Sequence, residues 1–132
     1  HGTTRNGRPV RVNRMDDLSS ALVATGFGYD PGRRRRQAEA LVSIIGHIGD
    51  IRRCGGAAPD LASVACGRVD AYFERGLSPW DFAAGAVLVT EAGGRVTDLE
   101  GRPTSGGLVV AAPVELHGPL LELLRSAGAE VA

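Results

Sequence analysis

Apolar residues along the chain switch between two periods, alternation and three- or four-residue spacing, and each switch predicts a new element. Val10 and Val12 flank Arg11 shortly after Asn6-Gly7, a pair that favours tight hairpins because both residues tolerate positive φ. The chain is therefore expected to open in an exposed hairpin. Ala21-Leu22-Val23-Ala24 is a short apolar run stopped by Thr25-Gly26-Phe27-Gly28, which predicts a buried strand ending at a flexible turn. Ala38, Leu41, Val42, Ile45 and Ile48 then recur at helical spacing, predicting an amphipathic helix from about Arg33 to His47 that closes near Gly49. Asp50 to Cys54 reads as a strand.

A second unit follows the same order. Gly55-Gly56 leads to Ala57-Ala58-Pro59, and Pro59 suits the first turn of a helix running to Cys66, with Gly67 as its stop. Val69 to Phe73 resumes as strand, so that Glu74 falls at a strand end. Ser78-Pro79-Trp80-Asp81 opens the next helix. Trp80, Ala83, Ala84, Val87, Leu88 and Glu91 share one face of it until Gly93-Gly94, and that face is expected to be the packed one. Arg95 to Thr97 and Leu108 to Ala111 read as strands, and Leu116, Leu120, Leu123, Leu124 and Ala127 mark a last helix. Strands alternating with helices, without linker or repeat, predict one layered α/β domain.

Composition narrows the function. The 132 residues carry 15 arginines and no lysine against 8 aspartates and 7 glutamates, a formal net charge of zero. Neutrality removes general attraction to polyanions, so no nucleic-acid partner is expected. Arg33 to Arg36 is the one basic run; it lacks interleaved aromatics and falls in a helix's first turn, which predicts a solvated face. No apolar stretch nears the ~20 residues of a membrane span, and a cytoplasmic location is expected. Cys54 and Cys66 are too far apart for a metal-type pair, and His1, His47 and His117 are scattered; both thiols are expected to be reduced and packed as small hydrophobes. Met15, Tyr29, Tyr72 and Phe73 are assigned to the core or its rim. The chain opens on His1, and its first segment reads like the middle of a protein, so an upstream portion is expected.

Two strand-turn-helix junctions could carry chemistry, because strand ends and helix starts meet at one sheet edge. At the first, Gly55 and Gly56 allow close backbone approach and the following helix offers unpaired amides to an anion or a hydroxyl-rich group; an ordinary turn explains the glycines equally. At the second, Glu74 and Asp81 bracket the intervening loop, which would suit a magnesium ion or a polyol. Asp81 also satisfies a helix-capping pattern, and Glu74 could be an exposed strand-end acid. Arg52 and Arg53 beside the glycine turn could approach a phosphate, with loop support the expected role.

The segments Arg52-Arg53-Cys54-Gly55-Gly56-Ala57-Ala58-Pro59-Asp60-Leu61-Ala62, Gly67-Arg68-Val69-Asp70-Ala71-Tyr72-Phe73-Glu74, Pro79-Trp80-Asp81-Phe82-Ala83-Ala84-Gly85 and Glu91-Ala92-Gly93-Gly94 together resemble the C-terminal half of the inositol monophosphatase family. The likeness runs from about Gly2 to Ala112. It implies a layered α/β sandwich of the inositol monophosphatase and fructose bisphosphatase type, here its C-terminal portion, with a mixed sheet flanked by helices. It also implies that Asp81 binds a catalytic Mg2+ and reaches substrate hydroxyls, that Glu74 contacts a hydroxyl, and that the Gly55-Gly56-Ala57 turn contacts substrate. Gly56 stands where relatives carry a hydroxyl residue, and Pro59 where they carry an aliphatic one. The family's upstream metal-binding glutamate and its Asp-Pro-x-Asp-Gly-Thr motif are not in this sequence; Gly2-Thr3-Thr4 belongs instead to a later hairpin.

The resemblance implies a magnesium-dependent phosphomonoesterase when full length, acting on inositol monophosphate or a related sugar or cyclitol phosphate, with a homodimer compatible and the fragment alone inactive. Phosphatases of histidinol phosphate, a nucleotide phosphate or a sugar bisphosphate form the neighbouring alternative. A non-catalytic assembly module is the alternative from another class.

Overall fold

In the computed structural model, which describes residues 2–129, Asn6 and Gly7 adopt φ of 52° and 79°. They close the predicted hairpin between β1 (Thr3–Arg5) and β2 (Arg8–Val10), an antiparallel pair separate from the main sheet. His1, the first of the three scattered histidines, lies outside the described residues. The main sheet has five strands, β3 (Leu22–Thr25), β4 (Asp50–Arg52), β5 (Ala71–Leu77), β6 (Gly94–Thr97) and β7 (Gly107–Pro113), in the order β4-β3-β5-β7-β6. Strands β4, β3 and β5 are mutually parallel, while β7 runs antiparallel to both β5 and β6. The sheet is mixed, as the α/β reading requires.

Four helices cover it: α1 (Pro31–Ile45), α2 (Ala57–Ala65), α3 (Pro79–Glu91) and α4 (Val114–Ser126). Period-two alternation divides the strand side chains between two cores. Val23, Ala71, Phe73, Val110 and Ala112 face Ile44 of α1 and Leu116, Leu120 and Leu124 of α4. Ala24, Tyr72, Val109 and Ala111 face Leu61 and Val64 of α2 and Phe82 and Val89 of α3. Between α2 and α3 the approach is set by Gly85, where a β-carbon would lie 2.5 Å from Cβ of Leu61.

Two helices turn a different face inward from the one expected. In α3 the buried residues are Phe82, Gly85 and Val89, whereas Trp80 is 83% and Val87 60% exposed. The helix is apolar almost all round, so periodicity could not choose a side; the small Gly85 chose it by allowing α2 to come close. In α1 the buried residues are Gln37, Ala40 and Ile44, with Val42 and Ile45 exposed. Gln37 sets that phase by accepting from the Gly28 amide at 2.8 Å and donating to the Arg75 carbonyl at 3.4 Å. Strand β5 also runs past its expected end to Leu77, with a register shift between Arg75 and Leu77, so Glu74 lies mid-strand. Tyr29 is 93% exposed rather than part of the core or rim, and Cys54 lies beyond β4, exposed rather than packed.

His117 of α4 is buried and its Nε2 lies 2.8 Å from Oγ1 of Thr97. The Thr97 hydroxyl already donates to the Asp98 carbonyl at 2.7 Å, so the imidazole is the donor, with a proton on Nε2. Burial first, then the charge of Arg95, brings its pKa down from 6.5 to about 4. A depressed folded-state value means that the unfolded chain binds the extra proton between about pH 6.5 and 4, so the stabilisation is complete above that window and is lost as pH falls through it. The loss is at most a few kcal/mol. Glu74 and Asp60, whose pKa values burial raises, act in the opposite sense at the acid end, so the difference between wild type and a neutral variant is the informative quantity. Urea unfolding of H117Q at several pH values should show a shallower decline than wild type over that window; parallel declines would contradict it.

Candidate active site

Because β4, β3 and β5 are parallel, their C-terminal ends reach the same sheet edge and the loops after them meet there. The loop after β4 supplies Arg53, Gly55 and Gly56, the loop after β3 supplies Gly26 to Tyr29, and the end of β5 leads through Gly76 to Asp81 of α3. These residues line one cleft of about 220 Å³, with Glu74 and Ala57 in its wall. Every residue assigned to the site from sequence, Gly55, Gly56, Ala57, Glu74 and Asp81, is therefore brought to a single place. A hollow of about 330 Å³ between the hairpin and α2 is larger but lined by no carboxylate, which leaves it without the groups for cation or polyol chemistry.

Asp81 occupies the first turn of α3. Its Oδ2 accepts from the Ser78 amide at 2.8 Å, and its own amide donates to the Ser78 carbonyl at 2.9 Å. The capping contact does not take the residue out of the cleft: one carboxylate oxygen holds the helix start, and the residue still lines the cleft.

Glu74 is fixed from two sides. The hydroxyl of the fully buried Tyr72 donates to its Oε1 at 2.7 Å. On the β3 side Gly26 gives it space, since a β-carbon there would lie 2.6 Å from Cδ of Glu74. Burial raises the Glu74 pKa, the Tyr72 hydrogen bond counters it, the Asp60 charge adds to the rise, and Arg53 opposes it. Burial, followed by the neighbouring Glu74, likewise raises the Tyr72 pKa, so the phenol stays a donor.

The glycine turn shows why two residue choices go together. Gly55 has φ of +99°, which favours glycine. Gly56 is the N-cap of α2 and brings no side-chain cap. The third helical residue is Pro59, which has no N–H, so an amide that a capping side chain would satisfy is missing as well. A β-carbon at Gly56 would also stand 3.2 Å from Cδ of Pro59. The glycine at the cap and the proline at the third helical position are thus sterically and chemically coupled.

Asp60 of α2 is fully buried, and neither of its oxygens has a hydrogen-bond partner of good geometry among the described residues. Burial raises its pKa, favouring the neutral acid. The exposed Cys54 thiol lies against it, and that contact raises the thiol pKa, which lowers its reactivity.

Sequence reasoning missed Gly26 and the Tyr72 hydroxyl as site elements. The signal for the first was its place just after a buried parallel strand; for Tyr72, a phenol rather than a phenylalanine two residues before Glu74.

Among the described residues no three histidine, cysteine or acidic side chains converge as a cation cage. Asp81, a hard oxygen donor at the cleft wall, suits a magnesium ion and would supply one ligand of such a centre.

Residues 1–129 match the sequence profile of the inositol monophosphatase family. The chain belongs to that family. It is 49% identical over 129 residues to the inositol-1-monophosphatase SuhB of Mycobacterium tuberculosis, covering 95% of this chain and 44% of that protein. It is 40% identical over 128 residues to an inositol-1-monophosphatase of Synechocystis, covering 95% of this chain and 45% of that protein. The structure of inositol monophosphatase from Anabaena superposes with a TM-score of 0.88 at 42% identity, over 95% of this chain and 51% of that one. The likeness places the layered α/β architecture in the family's fold, and the chain spans about half the length of these relatives. No helix among the described residues is long and apolar enough to cross a membrane.

Proposed function

We propose that the whole protein is a magnesium-dependent phosphomonoesterase that cleaves inositol monophosphate, or a related sugar or cyclitol phosphate, to the alcohol and phosphate. The observation that carries this reading is the convergence of Glu74, Asp81 and the Gly55-Gly56-Ala57 turn on one cleft. When bound, magnesium would activate water, neutralise phosphate charge and stabilise the departing alkoxide.

This chain's own residues would mainly position the substrate. Asp81 holds its carboxylate at the cleft wall through the Ser78 amide. Glu74, oriented by Tyr72, accepts a hydrogen bond from a ring hydroxyl. The amides of Ala57 and Ala58 at the start of α2 have no intrahelical acceptor, and they favour negative charge approaching over the glycine turn. Alignment of this kind converts binding into rate by presenting the phosphate at a fixed angle to its attacking water.

The test is phosphate release from inositol monophosphate by the whole protein with magnesium, after chelation, and after magnesium is restored. Release should stop on chelation and return with the metal, and the 132 residues alone should release none. Undiminished release in chelator, or clear magnesium-dependent release by the 132 residues, would contradict the respective part.

A further inference from the structure

Asp60 is the one side chain whose buried oxygens find no hydrogen-bond partner among the described residues. A carboxyl withdrawn from water without compensation costs stability, so folding alone gives no reason for an acid at this place in α2. Its amide has an ordinary part, donating to the Gly56 carbonyl at 3.1 Å and closing the first turn of the helix. Its side chain stands where two parts of the site meet. From the turn before α2, the Cys54 thiol lies against it and the charge of Arg53 acts on it. From β5, Tyr72 and Glu74 both feel its charge. Arg53, which lines the cleft, acts on Glu74 as well, so one guanidinium is drawn to two carboxylates that belong to different elements.

The turn has need of such an anchor. Gly55 sits at φ of +99° and Gly56 supplies no capping side chain, while Pro59 has no N–H for one to hold. Two consecutive glycines leave the backbone freer than other residues would. The wall that they form must nevertheless keep a fixed distance from Glu74 if one substrate is to touch both. Glu74 itself is held by the Tyr72 hydroxyl. We propose that Asp60 is a positioning residue, which ties the turn of residues 53–56 to Tyr72 and Glu74 and thereby fixes the spacing between two substrate contacts. This rests on the phosphomonoesterase reading for the identity of the substrate. It also accounts for the orphaned carboxyl, a group kept at a cost to stability because it serves the site.

The test is steady-state kinetics of the whole protein with inositol monophosphate and with phenyl phosphate, an ester that has no ring hydroxyl for Glu74 and cannot bridge the two contacts. D60A should raise KM for inositol monophosphate at least about tenfold with kcat within about threefold, and leave KM for phenyl phosphate within about twofold. D60N keeps an acceptor oxygen beside the Cys54 thiol and should restore KM for inositol monophosphate to within about threefold of wild type. The urea midpoint of D60A should equal or exceed that of wild type, because the variant removes a buried polar group that had no partner. Equal KM rises for both esters, no rise for either, D60N no better than D60A, or a loss of stability in D60A that matches its loss of activity would each overturn the proposal. Hydrogen exchange over residues 55–60 is read without turnover. D60A should exchange there at least about fivefold faster than wild type, and D60N should not; unchanged exchange in D60A overturns the positioning role. That measurement decides the role even where wild type releases no phosphate, a result that would remove the phosphatase reading instead.

Discussion

Replacing Asp81 by Asn in the whole protein is expected to lower kcat/KM for inositol monophosphate by at least about a hundredfold, the upper end of what losing even an outer-shell partner costs a metal site. The substitution separates the two roles of the residue. Asparagine keeps an amide oxygen where Oδ2 accepts from the Ser78 N–H, so the start of α3 stays capped and stability should change by no more than about 1 kcal/mol, mostly from the weaker interaction with the helix dipole. What disappears is the anionic charge facing the cleft. A divalent cation binds a neutral amide oxygen far less well than a carboxylate, so higher magnesium should recover part of the lost rate. Steady-state rates across a magnesium titration, with denaturant unfolding of the same variant, check both halves. Wild-type kcat/KM at ordinary magnesium would remove Asp81 from the metal site, leaving it a helix cap only.

The elements were legible where local chemistry decides structure. Asn6-Gly7 closes a hairpin because both positions need positive φ, and Ser78 to Asp81 starts a helix because the carboxylate caps it. The alternating periods were enough to place Glu74, Asp81 and the glycine turn at one sheet edge, given that the strands carrying those loops run parallel. The inward face of α3 was not legible, since a helix with Trp80 and Val87 on one side and Phe82 and Val89 on the other has no polar stripe to orient it. Nor was the position of Arg33, whose side chain lies against both Gly28 and Gly76, glycines 48 residues apart in the chain. The same holds for Glu74: its identity could be read, but its orientation comes from the Tyr72 hydroxyl below it and an absent side chain on a neighbouring strand's loop. Local propensity places residues in elements, and tertiary convergence then aims them.

That aiming makes Gly26 a sharper probe of the site than Glu74 itself. G26A should lower kcat/KM for a polyol phosphate by about 10–100-fold, the equivalent of losing one hydrogen bond to a charged group, while unfolding stability falls by no more than about 1–2 kcal/mol. The added β-carbon would meet the end of the Glu74 side chain, which is flexible enough to swing aside. The clash is relieved by moving a carboxylate rather than by opening the sheet. Once displaced, Glu74 no longer receives the Tyr72 hydroxyl, which is then left buried without its partner; that accounts for the stability cost. At Gly85 the same substitution would meet Cβ of Leu61, an atom tied to the backbone of α2, and the strain would have to be taken up by the packing of two helices. The expected contrast is therefore activity lost with the fold kept at Gly26, measured by kinetics beside urea unfolding. If G26A retained full kcat/KM, Glu74 would not need its present orientation, and its contact with a substrate hydroxyl would have to be abandoned.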